Sequence, residues 1–377
     1  MNTITETEVR LIASPRSWIE GEALRLLYAA SKLDGMRLVV GFPDLHPAKG
    51  SPAGAAFVTE GIIYPHLVGG DIGCGMALFK TELPRRSAQR VGEWAELRFD
   101  LEHPWEGDVV EVLASSDLES NEFDEALGTI GGGDHFAELQ SVEQVLNARE
   151  FEQLGLDRHQ LVVLVHSGSR GLGESVLRAY VAEHLASGSD TEAFAATAYL
   201  RGHDLALRWA KANRALIARR FVQVLGAQAE LLWDGCHNSI TRQESEGETL
   251  WVHRRGAVGI DARFVVIPGS RGSLSYLVKP SGNGARHGWS LAHGAGRKWA
   301  RSETRLRMRE RFGPHQLALT PLGGRVICGQ RELLYEEAPA AYKNIEDVVQ
   351  DLVDAGLISV VATFRPLLTY KTRALRH

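Results

Sequence analysis

Apolar segments of strand length in this chain end, one after another, in glycine-rich loops that carry histidine, cysteine or aspartate. The stretch AAFVTEGIIYPHLVGGDIGCGMALFKTEL is the fullest example, LVVLVHSG (161–168) repeats the form, and RFVVIPGS likewise runs into a glycine loop, there with serines and an arginine. Short β-branched runs punctuated by glycine turns build sheets rather than helix bundles. In such turns the backbone is nearly bare, so a ligand can approach it closely. The chain therefore reads as a sheet scaffold whose turns bring polar side chains to one place.

Helical periodicity covers 173–187 and 204–225, with a basic helix at 303–311 and another at 344–355 before a last strand, ISVVATF. Ser17–Trp18–Ile19–Glu20 has the form of a capping box opening an amphipathic helix to about Lys32. A strand at Arg37–Val40 feeds a loop, GFPDLHPAKGSPAG, and the acidic stretch 85–127 has helical character. No linker, low-complexity tract or internal repeat divides the chain. The expectation is an α+β fold: one large domain over 1–377, with a mixed β-sheet core and a helical lobe at roughly 173–225.

Composition excludes several classes. Hydrophobic residues make up 44% and charged residues 24%, as in soluble globular proteins. No apolar run approaches the roughly 18 residues of a membrane span, and the polar N-terminus has no secretory h-region. A cytoplasmic protein with no membrane partner is expected. Three cysteines are too few and too scattered for a disulfide framework, and Cys328, in VICGQ, reads as a small buried hydrophobe. A net charge of −5 argues against indiscriminate coating of nucleic acid. Yet residues 201–311 carry 20 Lys+Arg against 9 Asp+Glu. That asymmetry suits a basic surface for a phosphate backbone, and equally a set of solvated helix faces.

The chemistry collects in five loops. Asp44 and His46 stand in PDLH, with Asp71 and Cys74 following in GGDIGCG; a purely structural turn has the same look. Then come Gly131–Gly132–Gly133–Asp134–His135–Phe136 with Glu138 just after, His166–Ser167–Gly168–Ser169–Arg170–Gly171, and Cys236–His237–Asn238. Aspartate, cysteine and histidine together suit Mn, Zn, Fe or Co better than Mg or Ca. Five such groups exceed what one tetrahedral zinc needs, and a thiolate can bridge two ions. In the fifth loop, His293 is followed by Gly-Ala-Gly and Arg297. The bare backbone leaves room for a phosphoryl group on the imidazole, with Arg297 able to balance its charge. No GxxxxGK[ST], G-x-S-x-G or H-E-x-x-H occurs, which removes the commonest nucleotide and hydrolase templates.

Taken in order, PDLHPAKGSPAG, GGDIGCG, GTIGGGDHFAEL, VHSGSRG, CHNSI, VHRRGA, PGSRGSLSY, AHGAGR, AYKNIEDV and RPLLTYK resemble the RtcB family of RNA ligases, and they span nearly the whole chain. The resemblance implies a centre of two Mn²⁺ ions held by Asp71, Cys74, His135, His166 and His237, with Cys74 bridging. It implies that His293 attacks the α-phosphorus of GTP to form guanylyl-histidine. Phe136, Glu138, Ser270, Ser275, Tyr342 and Lys371 match positions lining the GMP pocket, with Asp134 and Arg297 beside them. The implied reaction joins an RNA 3′-phosphate or 2′,3′-cyclic phosphate end to a 5′-hydroxyl end. The chain also looks like the compact, divergent branch found beside release-factor-like proteins in bacteria, and that likeness implies RNA repair and an activating or release-factor-like partner.

Three positions depart from the family pattern. Asp134 stands where Asn is usual, Arg271 where Met is usual in PGS-x-G, and Arg255 where Lys is usual. An anion at 134 could repel nucleotide phosphate or join the metal shell, and Arg271 could touch phosphate. Two other readings use the same loops: a dinuclear metal phosphodiesterase with water as nucleophile, and a degenerate ligase that binds RNA ends without joining them.

Overall fold

Fifteen strands organise the computed structural model, which describes residues 7–187 and 192–372. They are β1 (Glu8–Leu11), β2 (Met36–His46), β3 (Ala53–Glu60), β4 (Gly75–Pro84), β5 (Phe136–Val145), β6 (Gln160–Ser167), β7 (Ala229–Cys236) and β8 (Asn238–Ser245). After these come β9 (Glu248–Arg255), β10 (Ala257–Gly259), β11 (Val265–Ile267), β12 (Ser275–Pro280), β13 (Ser290–Ala292), β14 (Arg325–Cys328) and β15 (Ile358–Thr372). One sheet has the order β1-β2-β3-β9-β8, and the larger runs β11-β12-β15-β5-β6-β4-β7 with β14 on β15. β1 is parallel to β2 and β14 to β15; the other pairs are antiparallel. The expected α+β fold with a mixed-sheet core is present, built as two large sheets and a two-stranded one, β10-β13, rather than one.

Side-chain alternation fixes how the sheets stack. On β4, Met76 and Leu78 enter a core shared with Val40 and Phe42 of β2 and Val252 of β9, so the two sheets face each other. Ala77 and Phe79 point the other way, onto Ile217, Phe221 and Val222 of the helix Glu192–Val224. The far face of the smaller sheet, through Val39 and Phe57, is covered by Ala23 and Leu27 of the helix Gly21–Ala30. β6 is covered on both faces, which is why LVVLV is apolar without alternation. No helix among the described residues is long and apolar enough to cross a membrane.

Several local expectations change. The capping box does not form: the helix opens at Gly21 with no side-chain cap, and the Ser17 hydroxyl donates instead to Asp351 at 2.7 Å. The long-range carboxylate outcompetes the local one. PDLH is the end of β2, not a loop. Residues 85–127 hold only short helices, the longest Val109–Ser115, because few of their positions keep an apolar stripe. The helix read at 204–225 begins at Glu192.

Candidate metal and nucleotide site

The site lies where the two sheets share a corner. β7 of the larger sheet ends at Cys236 and β8 of the smaller begins at Asn238, so His237 is the residue at which the chain changes sheets. Cys74 and His135 immediately precede β4 and β5, and His166 is the penultimate residue of β6. The register pairs Met76 and Phe136 with His166, and Gly75 with Cys236. Antiparallel pairing therefore puts two strand starts and two strand ends at one edge, carrying residues far apart in sequence to one point.

There the donor atoms converge. Cys74 Sγ lies 3.4 Å from His135 Nε2 and 3.2 Å from His166 Nε2. His166 Nε2 is 3.3 Å from His237 Nε2, and Asp71 Oδ2 is 3.8 Å from His135 Nε2. His135 Nδ1 is 3.0 Å from the Ile130 carbonyl and His166 Nδ1 is 3.3 Å from that of Asp134. Each Nδ1–H therefore donates outward, and each Nε2 turns a lone pair inward. Burial pushes His166 down to about 3 and His237 well below its usual range, so both rings are neutral near neutrality, and His166, with its Nδ1–H given to a carbonyl, keeps its lone pair on Nε2. Inward lone pairs this close repel one another unless a cation lies among them, so the donor set fits a metal. Asp71 approaches because residue 168 is glycine: a Cβ there would sit 2.5 Å from Asp71 Oδ1.

His293 borders this cluster, its ring centroid 4.7 Å from that of His237. It follows β13, which pairs with β10 in a two-stranded sheet that the chain enters after Gly256. Asp44, fully buried at the end of β2, accepts from His293 Nδ1 at 2.7 Å and from its backbone N–H at 3.1 Å through Oδ2. That fixes the tautomer and leaves Nε2 as a lone-pair donor. Lys343 brackets Asp44 by donating to the carbonyls of Pro43 at 2.9 Å and Leu45 at 2.7 Å. Gly296, at φ 70°, owes its place to Asp44 rather than to a phosphoryl group, since a Cβ there would meet the Asp44 carbonyl oxygen at 2.3 Å.

A cavity beside His293 and His166 is lined by Asp134, Phe136, Glu138, Ser270, Tyr342 and Lys371, with Arg297 also on its wall. Ser275 stands behind that wall, accepting from Gln140, which also donates to Glu138. Burial raises Glu138 above the usual carboxylate range. Lys371 lies 5.6 Å over the Phe136 ring and donates to the Asp134 carbonyl at 2.9 Å.

Glu337, which the sequence reading passed over, organises the far wall. Arg297 at 3.0 Å, Arg301 at 2.7 Å and Lys371 at 3.7 Å surround it, and the Tyr342 hydroxyl donates to it. Burial opposes its charge, but Lys371 and Arg301 hold it below the usual carboxylate range. Arg297 is thus committed to Glu337 and to the Glu336 carbonyl, not free to balance a phosphoryl group. The Asp134 carboxylate likewise has a partner, Arg301 at 3.2 Å. Arg271 is buried and donates to the Leu334 carbonyl, and Arg255 donates to Lys49 and Ser51. The sequence signal for Glu337 was its place in EEAPAAYKNI, just ahead of Tyr342.

The family model described as tRNA-splicing ligase RtcB matches residues 27–104 and 98–372. The chain belongs to the RtcB family. It is 45% identical over 360 residues to the RNA-splicing ligase RtcB2 of Escherichia coli, covering 96% of this chain and 94% of that protein. It is 28% identical over 415 residues to a tRNA-splicing ligase RtcB of Thermococcus kodakarensis, with 86% of each covered. A tRNA-splicing ligase RtcB of Nanoarchaeum equitans is 29% identical, with 88% of each covered. The corner between the sheets is therefore the candidate centre of an RtcB protein.

Proposed function

We propose that this chain is a GTP-dependent RNA ligase that joins RNA 3′-phosphate or 2′,3′-cyclic phosphate ends to 5′-hydroxyl ends through GMP held on His293, in RNA repair. The observation that carries the proposal is the Asp44–His293 pair: Nδ1–H held by a buried carboxylate, Nε2 free, and the ring against the Cys74 cluster. Membership of a family of RNA ligases supports it.

In this reading His293 Nε2 attacks the α-phosphorus of GTP, the P–N bond forms, and pyrophosphate leaves with the bonding pair. Asp44 stabilises the positive charge that the ring gains. An oxygen of the RNA 3′-phosphate then displaces His293 from that phosphorus, leaving GMP on the RNA end. The 5′-oxygen of the second strand attacks the RNA 3′-phosphorus, loses its proton, and GMP departs. A cyclic phosphate first takes up water to open to the 3′-phosphate. Phe136 offers a ring face to the purine, while Glu138, Ser270, Tyr342 and Lys371 bound the nucleotide. Asp71, Cys74, His135, His166 and His237 would hold Mn²⁺, which would supply Lewis-acid polarisation of phosphoryl oxygens.

The test is joining of a 3′-phosphate RNA to a 5′-hydroxyl RNA in Mn²⁺, with and without GTP. Product that needs GTP, and is absent with His293→Ala, is expected. Hydrolysis of a cyclic phosphate without GTP, and no joining with it, would favour the phosphodiesterase reading and sink this one.

A further inference from the structure

A second cleft adjoins the His293 cavity: His46, Arg297 and Arg301 line both. The cleft runs outward between Pro47–Ala48, just past β2, and the first turns of the helix Arg301–Arg311. Lys298 and Arg307 are further cations on its walls, against the carboxylates of Glu20 and Glu303. Glu303 is neutralised by Arg307 at 2.6 Å, whereas Lys298 has no carboxylate partner among the described residues. Two tryptophans complete the cleft. Trp18 is 52% exposed, and the Arg307 guanidinium lies 4.6 Å over the ring of Trp299.

Stacking faces interleaved with cations, leading straight to a reacting atom, are what a single nucleic-acid strand requires. A base of any kind can stack on an indole, while phosphates follow the cations. We infer that this cleft carries the terminal nucleotides of one RNA strand up to His293, with a base on Trp18 and backbone phosphate at Lys298. The inference rests on the ligase reading, because only a nucleic-acid end must reach the cavity from this side. A protein partner would have no need to adjoin the cavity.

Anisotropy of a labelled single-stranded RNA of about ten nucleotides, carrying a 5′-hydroxyl and a 3′-phosphate, tests it across a salt series. Wild type is compared with Trp18→Ala and Lys298→Ala, and uptake of GMP from labelled GTP is followed in each as a report of a folded cavity. The Trp18 variant should raise Kd by about 5- to 150-fold, the size of one base–aromatic stack. The Lys298 variant should weaken binding and lower the salt slope by about 0.7. Affinity within twofold of wild type in both variants, with GMP uptake intact, overturns the cleft as the strand path and leaves the ligase reading standing. That is also the result a cleft for a protein partner gives. Wild type that binds RNA, loses affinity in both variants and takes up no GMP supports the cleft and sinks the ligase reading instead.

Discussion

Asp44→Asn preserves the size of a fully buried side chain and removes only its charge, so its effect on GMP uptake can be worked from two contacts. Oδ2 accepts from both the His293 ring and the His293 backbone, and an amide oxygen placed there can keep both bonds. What is lost is the stabilisation of the charge that the imidazole gains as Nε2 bonds phosphorus. With charge centres about 4 Å apart and an effective dielectric near 20, that interaction is on the order of 4 kcal/mol. At 1.36 kcal/mol per tenfold, the rate should fall by about a thousandfold. Asp44 does not line the nucleotide cavity, so GTP affinity should change little. Single-turnover transfer of label from α-labelled GTP at saturating nucleotide measures the rate, and a GTP titration measures the affinity. A rate within about tenfold of wild type would refute the reasoning, as would a loss confined to GTP binding.

Three further outcomes are expected. Arg214→Met should destabilise the protein by about 3–5 kcal/mol in urea unfolding and lower its bound metal, because this buried guanidinium pairs with Asp234 at 2.6 Å and donates to the Gly73 and Ser167 carbonyls beside two candidate ligands. A stable variant with full metal content would contradict that role. Asp134→Asn removes a carboxylate from the cavity wall while Glu337 still holds Arg301, so KM for GTP in GMP uptake should fall about 3- to 10-fold, up to ~1.4 kcal/mol; an unchanged KM with reduced metal content would instead make Asp134 part of the metal shell. Burial pushes His253 down to about 3 and His46 to about 4, from an unfolded value near 6.5. Their folded forms refuse a proton that the unfolded chain accepts, so stability is full above about pH 6.5 and falls by about 1.4 kcal/mol per pH unit for each as pH drops toward 4. Urea midpoints between pH 7.5 and 5 check this, and a flat profile would count against it.

Much of the site was legible because chain-end geometry in a sheet is local. LVVLVHSG announces a strand covered on both faces with a polar residue at its end, and GGDIGCG a turn that aims Asp71 and Cys74 together. That two sheets meet, with His237 as their shared corner, was not legible, since pairing partners are set by contacts distant in sequence. The Glu337 network was hidden for the same reason: its cations come from the His293 loop, the helix Arg301–Arg311 and β15. Glycine was a fair signal of close approach, but not of what approaches. Around His293 the neighbour at Gly296 is the backbone of Asp44. The capping box misled because Ser17 had a better partner more than three hundred residues away.

Mapping the covalent product decides whether His293 carries GMP. The protein is incubated with GTP and Mn²⁺, digested at neutral or alkaline pH to spare an acid-labile bond, and its peptides are weighed. One GMP on the peptide carrying His293 is expected, absent from His293→Ala and lost on brief acid treatment. GMP on another residue, or none on folded protein shown to hold metal, would contradict it.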